Sequence, residues 1–200
     1  MKLILASRNP GKLRELQELL SGFGVEILLE SQVGLDLEVE ETGTTFEENS
    51  LLKARAVMEA AGLAAIADDS GLEVDALNGA PGVYSARYGG LDSDEARTAL
   101  LLQRLEAVPD AQRTARFVSV LTACLPDGRV IQARGTCEGR ITRAPRGSGG
   151  FGYDPVFLVP ELGQTFAEMP AEEKNRISHR ANALRQFAEK WEKEIRHADE

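Results

Sequence analysis

The stretch Leu63-Ala64-Ala65-Ile66-Ala67-Asp68-Asp69-Ser70-Gly71-Leu72 decides the fold. Five apolar residues in unbroken succession, directly after Gly62, predict a buried strand over 63–67. The paired carboxylates Asp68 and Asp69 then mark its C-terminal end, where open α/β sheets place their ligands. Upstream, Lys2 to Ala6 repeats the pattern of a short strand stopped by Ser7-Arg8-Asn9-Pro10-Gly11. A helix follows: Asn9 can cap it, Pro10 suits its first turn, and Leu13, Leu16, Leu19 and Leu20 share one face. Gly22 and Gly24 end that helix, and Val25 to Leu29 reads as a second strand. Thr45-Phe46-Glu47-Glu48 has the spacing of a capping box, opening a helix whose apolar face runs from Leu51 to Ala60 and stops at Gly62.

Downstream, Leu72 to Leu77 alternates weakly and Asn78 to Gly82 is a turn. Asp92 to Glu95 caps a helix reaching to about Val108. Arg116 to Leu125 and Arg129 to Thr136 flank Pro126-Asp127-Gly128 as a hairpin. Gly147 to Asp154 is a glycine-rich loop before a strand at Pro155 to Val159, and the chain is helical from about Ala171 with a break near Ser178-His179-Arg180. Strand–helix alternation followed by a hairpin predicts an α/β fold with a mixed central sheet and flanking helices. With neither repeat nor linker, residues 1–200 read as one domain, bilobed.

The chain carries 32 acidic and 23 basic residues, a net charge of −9. This excess argues against nucleic-acid and membrane partners, because both polyanions demand a basic face. The charge is uneven: residues 1–100 hold 18 acids and 8 bases, and residues 101–200 hold 14 and 15. Residues 26–48 contain eight carboxylates and no base, while 113–146 carry seven bases against two acids. Cys124 and Cys137 lack zinc spacing and read as buried free thiols in a reducing compartment. No apolar run is long enough to span a bilayer, so the cytoplasm is the expected location.

Four motifs carry possible chemistry. Ser7 to Lys12, between a strand and a helix, would aim backbone N–H groups and a helix dipole at a phosphate, with Lys12 adding a cation. It is not a Walker A loop, since Leu13 stands where the metal-binding hydroxyl belongs; it can equally serve only to start the helix. Asp68 and Asp69, adjacent carboxylates, are costly unless a cation shares them, and hard oxygen donors suit magnesium. Their alternative is a solvated capping turn. Glu40-Glu41 and Glu47-Glu48-Asn49 would complete a metal site if their loop folds over the strand end, or else would only cap and solvate. Finally, Gly149 to Asp154 with Lys174, His179 and Arg180 offers glycines for close approach, rings for stacking, and donors and an acceptor for a base edge.

Together the motifs Ser7-x-Asn9-x-x-Lys12, Thr45-Phe46-x-Glu48-Asn49, Ala67 to Leu72, Gly79 to Arg87, Gly150 to Pro155 and Ser178-His179-Arg180 resemble the inosine triphosphate pyrophosphatase family. These are the non-canonical purine nucleoside triphosphate (dITP/XTP) pyrophosphatases, and the likeness covers nearly the whole chain. Ser50 after Asn49 departs from a frequent alanine. The resemblance implies two lobes around an active-site cleft, a homodimer, and magnesium (Mg2+)-dependent hydrolysis of ITP, dITP and XTP to monophosphate and pyrophosphate. It further implies that Ser7, Arg8, Asn9, Pro10, Gly11 and Lys12 hold the triphosphate, Asp69 is the general base, and Glu40 with Asp69 binds metal. Ser70, Phe151, Gly152, Tyr153, Asp154, Lys174, His179 and Arg180 are then the nucleotide contacts. Donors on Arg180 and His179 would favour an acceptor at purine O6 over an amino group. A Maf-type pyrophosphatase and a non-catalytic nucleotide-binding module are the competing readings; the second would not need Asp68 and Asp69.

Overall fold

The computed structural model describes residues 1–7 and 10–196; the side chains at 10, 15, 19, 195 and 196 fall outside that description. Its strands are β1 (Lys2–Leu5), β2 (Glu26–Leu29), β3 (Ala64–Val74), β4 (Thr114–Cys124), β5 (Val130–Ile141), β6 (Phe157–Val159) and β7 (Gln164–Thr165). Its α-helices among the described residues are α1 (Pro10–Leu20), α2 (Phe46–Ala61), α3 (Asp94–Arg104), α4 (Ala171–Ile177) and α5 (His179–Arg196). The strands form one sheet in the order β2-β1-β3-β4-β5-β6-β7. Pairing is parallel at β1–β2 and β1–β3 and antiparallel at β5–β6 and β6–β7, so the sheet is mixed as expected.

The chain divides into two compact units: Met1–Asp69, Ser119–Gly135 and the residues from Asn182 onward, then Ser70–Val118 and Thr136–Ala181. In the first unit, β3 is in register with β1 through Leu3↔Ala64, Ile4↔Ala65 and Leu5↔Ile66. Side chains alternate along a strand, and they do so here. Leu3, Leu5, Ala64 and Ile66 pack with Leu16 and Leu20 of α1 and with Phe187 and Trp191 of α5. Ile4 and Ala65 pack instead with Val57 and Met58 of α2. The two faces of the strand thus belong to different helices.

In the second unit, the core gathers Leu72 and Val74 of β3, Leu101 of α3, Phe117, Phe157 and Phe166. Phe117 lies 5.5 Å from Phe166 in a stack and 4.5 Å from Phe157 at a tilt. Arg113, wholly buried, donates to the carbonyls of Leu105, Ile141 and Thr142, tying the end of α3 to the end of β5. The basic stretch 113–146 is largely accounted for by such local work. Arg116 pairs with Asp75 and Glu138, Arg134 with Glu47, Arg143 with Asp110 and Arg146 with Glu168.

α3 ends at Arg104, short of the expected Val108, and the third strand departs further from the sequence expectation. The strand does not stop at Asp68 but continues to Val74, placing both carboxylates in mid-strand. Charged residues normally end a buried strand; these continue it because each has a cation nearby. Cys124 and Cys137 are buried free thiols, and burial pushes the Cys137 thiol up to about 11. Among the described residues, no helix is long and apolar enough to cross a membrane.

Candidate active site

Asp68 continues the face of Ala64 and Ile66, and it meets α1. The Lys12 ammonium donates to both of its oxygens at 2.6 Å. Asp69 continues the opposite face and meets α2, where the Lys53 ammonium lies 3.6 Å from its Oδ1. Lys53 also contacts Glu41 Oε1 at 2.8 Å. The expectation that one cation would lie between two adjacent carboxylates is therefore corrected. Strand alternation sends them to opposite faces, each with its own lysine.

The Asp69 carboxyl is held above the ordinary aspartate range, first by burial and then by the negative charge of Glu41, against the pull of Lys53 and of the Asn49 amide. Burial opposes the charge on Lys53, yet the carboxylates of Asp69 and Glu41 outweigh it and leave the ammonium pKa raised. A raised carboxyl pKa brings a group closer to proton-transfer work near neutrality. Glu41 is kept there by the loop that carries it. Asn49, wholly buried in the first turn of α2, accepts from the Gly43 backbone through Oδ1 at 2.8 Å. A Cβ at Gly43 would stand 2.6 Å from that same oxygen. The capping pattern is present and extended: Thr45 accepts from the Glu48 backbone, and the Glu48 carboxylate reaches back to the Thr44 N–H and hydroxyl. Ser50, the departure noted in the sequence, contacts Thr122 Oγ1 at 2.6 Å.

Glu40, expected beside Asp69, has an exposed side chain, and it is Glu41 that meets Lys53. No group of three or more carboxylate, histidine or cysteine side chains converges on a metal position among the described residues. The donor set still fits magnesium in kind. Two hard carboxylates already surround one cationic position, that of Lys53, and magnesium commonly takes one or two carboxylates plus waters and phosphate oxygens. Of the expected phosphate loop, Ser7, Gly11 and Lys12 are described, whereas Arg8, Asn9 and the Pro10 side chain lie outside the described residues.

In the second unit, Ser70, Phe151, Gly152, Tyr153, Asp154, Lys174, His179 and Arg180 all line one cavity of about 190 Å³. Drug-sized ligands usually need roughly 300–1,000 Å³, so this cavity suits a single flat ring system rather than a whole nucleotide. Several of its polar lining groups are held by hydrogen bonds. Tyr153 donates to the Ser85 carbonyl at 2.8 Å, and Ser85 Oγ accepts from the Leu72 backbone. Asp154, buried, accepts from the Phe151 backbone and from Lys174. The Lys174 ammonium stands 5.0 Å from the centre of the Phe151 ring, which is 68% exposed and available for stacking. His179 stacks on Phe117 at 4.9 Å, and Arg180 presents a buried Nε that has no hydrogen-bond partner among the described residues.

Several residues here were not singled out from sequence. Lys53 had a signal, since it is the first cation after Arg14 and follows the eight carboxylates of 26–48; it also lies one helical turn beyond Asn49. Phe117, Asp94 and Arg97 gave none, because only the tertiary fold brings them to the cavity.

Comparison with known proteins agrees with this geometry. The Ham1 family model matches residues 3–190. The dITP/XTP pyrophosphatase of Thermus thermophilus is 54% identical over 96% of this chain and 92% of its own. That of Symbiobacterium thermophilum is 55% identical over 94% of each chain. The solved structure of the Staphylococcus aureus Ham1 protein superposes with a TM-score of 0.91 at 42% identity, covering 97% of this chain and all of the other. With the match running from β1 into α5, the chain belongs to the Ham1 family.

Proposed function

We propose that this chain hydrolyses non-canonical purine nucleoside triphosphates, ITP, dITP and XTP, at the α-phosphorus, releasing the monophosphate and pyrophosphate and so clearing them from the nucleotide pool. The observation that carries the reading is the division of chemistry: lysine-paired carboxylates Asp68 and Asp69 in one unit, and a ring-sized cavity lined by Phe151, Asp154, Lys174, His179 and Arg180 in the other. Asp69 and Ser70 are consecutive residues of β3, so the strand joins the two sets covalently. The names of the relatives support the same substrate class.

Lys12 and the start of α1 receive phosphate oxygens. An ammonium carries three donors, and Asp68 occupies two of them. Asp69, its proton affinity raised by burial, takes the proton of the attacking water. Lys53 keeps that carboxyl oriented and offsets its charge. Glu41 and Asp69 would hold Mg2+, which when bound supplies charge neutralisation for the polyphosphate. Phe151 stacks on the base, Asp154 and Lys174 fix the loop that carries it, and His179 and Arg180 aim donors at O6. A cytoplasmic location suits the unpaired thiols, and a homodimer follows from the family resemblance; light scattering tests the latter.

The deciding experiment incubates the protein with ITP, dITP, XTP, GTP, ATP and dTTP plus magnesium and separates pyrophosphate from phosphate. Pyrophosphate from the first three is expected. Phosphate as the sole product, or equal turnover of ATP, overturns the reading.

A further inference from the structure

The Phe151–Gly152 segment borders two depressions. Asp94, Phe151 and Gly152 line both the base-sized cavity and a second depression of about 480 Å³. The contacts that hold this shared segment therefore bear on the shape of the cavity.

The grip comes from α3. The Asp94 carboxylate accepts from the Gly152 N–H through Oδ2 at 2.7 Å, while Thr98 Oγ1 reaches the Gly152 carbonyl at 3.5 Å. Residues 94 and 98 are one turn apart and share a helix face, so one helix holds both backbone polar groups of one residue, Gly152. Asp94 is itself held. Its Oδ1 accepts from Arg97 Nη2, and Arg97 Nη1 donates to the Leu91 carbonyl at 2.8 Å. Gly152 adopts φ +59°, a left-handed conformation that strongly favours glycine, so the loop is shaped to present this N–H. The preceding backbone N–H is held separately, by Asp154 accepting from Phe151.

We infer that Asp94, oriented by Arg97, is a positioning residue that holds the Gly152 peptide and so sets the height of the Phe151 ring over the base cavity. The assignment rests on the nucleotide reading above for its kinetic consequence, but not for its structural one. Asp94 touches neither phosphate nor reacting atoms in this role, so its loss weakens base binding and leaves the chemical step intact. The hydrogen bond from Gly152 and the charge of Arg97 also hold the Asp94 carboxyl below the usual aspartate range, consistent with an anion that works as an acceptor.

The test compares Asp94→Ala with Asp94→Asn, whose amide oxygen can still accept from Gly152. Hydrogen exchange at the Gly152 amide is expected to accelerate at least about tenfold in Asp94→Ala and to stay within about threefold of wild type in Asp94→Asn. KM for ITP is expected to rise about tenfold in Asp94→Ala with kcat within about twofold, and Asp94→Asn to recover most of it. Unchanged Gly152 exchange in Asp94→Ala overturns the inference, as does an equal loss of kcat and thermal stability in both variants. If the wild-type protein releases no pyrophosphate from any purine triphosphate, the functional reading falls, and the exchange measurement alone still decides the role of Asp94.

Discussion

Lys12 Nζ stands 2.6 Å from both oxygens of Asp68, whose side chain is only 7% exposed. Removing one partner of a largely buried pair leaves the other charge uncompensated. Asp68→Asn is therefore expected to cost roughly 1–3 kcal/mol, at the lower end because the Lys12 side chain is 24% exposed. Urea denaturation measures it, and Lys12→Met combined with Asp68→Asn should recover part of the loss. A single variant as stable as wild type would mean the pair is energetically idle.

Asp69→Asn keeps the shape of the side chain and removes its basicity. Pyrophosphate release should fall by about 10²–10⁴-fold while nucleotide binding, followed by calorimetry, persists. Retained turnover would remove Asp69 from the role of base.

Arg180→Ala should lower the preference for ITP over ATP at least about tenfold, because a site built around a donor loses discrimination with that donor. The ratio of kcat/KM values for the two nucleotides is the measurement; an unchanged ratio rules the donor out.

Gly150→Ala attacks the loop from inside. Its Cβ would stand 2.0 Å from Asp154 Oδ2, at a backbone φ of +71°. The Asp154–Lys174 pair must shift to admit it, so KM for ITP should rise while the melting temperature of the protein changes little. A melting point that falls by more than about 5 °C would show instead that the loop supports the whole second unit.

Cys137 gives the alkaline stability a definite sign. Its thiol is raised from an ordinary value of 9.0 to about 11, so the unfolded chain loses this proton first. The contribution is complete below pH 9 and declines as pH rises toward about 11. Cys137→Ala should flatten the loss of stability across that window, by up to one proton per molecule. Identical slopes for variant and wild type would contradict the assignment.

Much of this was legible in the sequence because local patterns agreed with the fold. The unbroken apolar runs at 3–6 and 63–67 marked strands, which pair in parallel, and Gly62 ended α2 in the left-handed conformation that its position suggested. The glycine-rich segment and the Ser178-His179-Arg180 break were legible as local sequence features, and Phe151 to Asp154 of the one and His179 and Arg180 of the other line the cavity. The end of β3 was misread for a physical reason. Hydrophobic periodicity treats a carboxylate as a terminator, and it has no term for lysines arriving from two helices. The same blindness hid Lys53, which sits 16 residues before Asp69 in the chain, and the Asp94 grip, which joins residues 58 apart.

The alternation of β3 makes parity a functional variable. Even-numbered side chains from Ala64 to Asp68 face α1, and odd-numbered ones from Ala65 to Asp69 face α2. A single-residue insertion between Ile66 and Asp68 would keep both acids in the chain yet exchange their lysines. The composition of the site would be unaltered and its wiring reversed. In this chain, then, the spacing from Ile66, the registered partner of Leu5 on β1, to the acid at Asp69 decides which helix each acid meets.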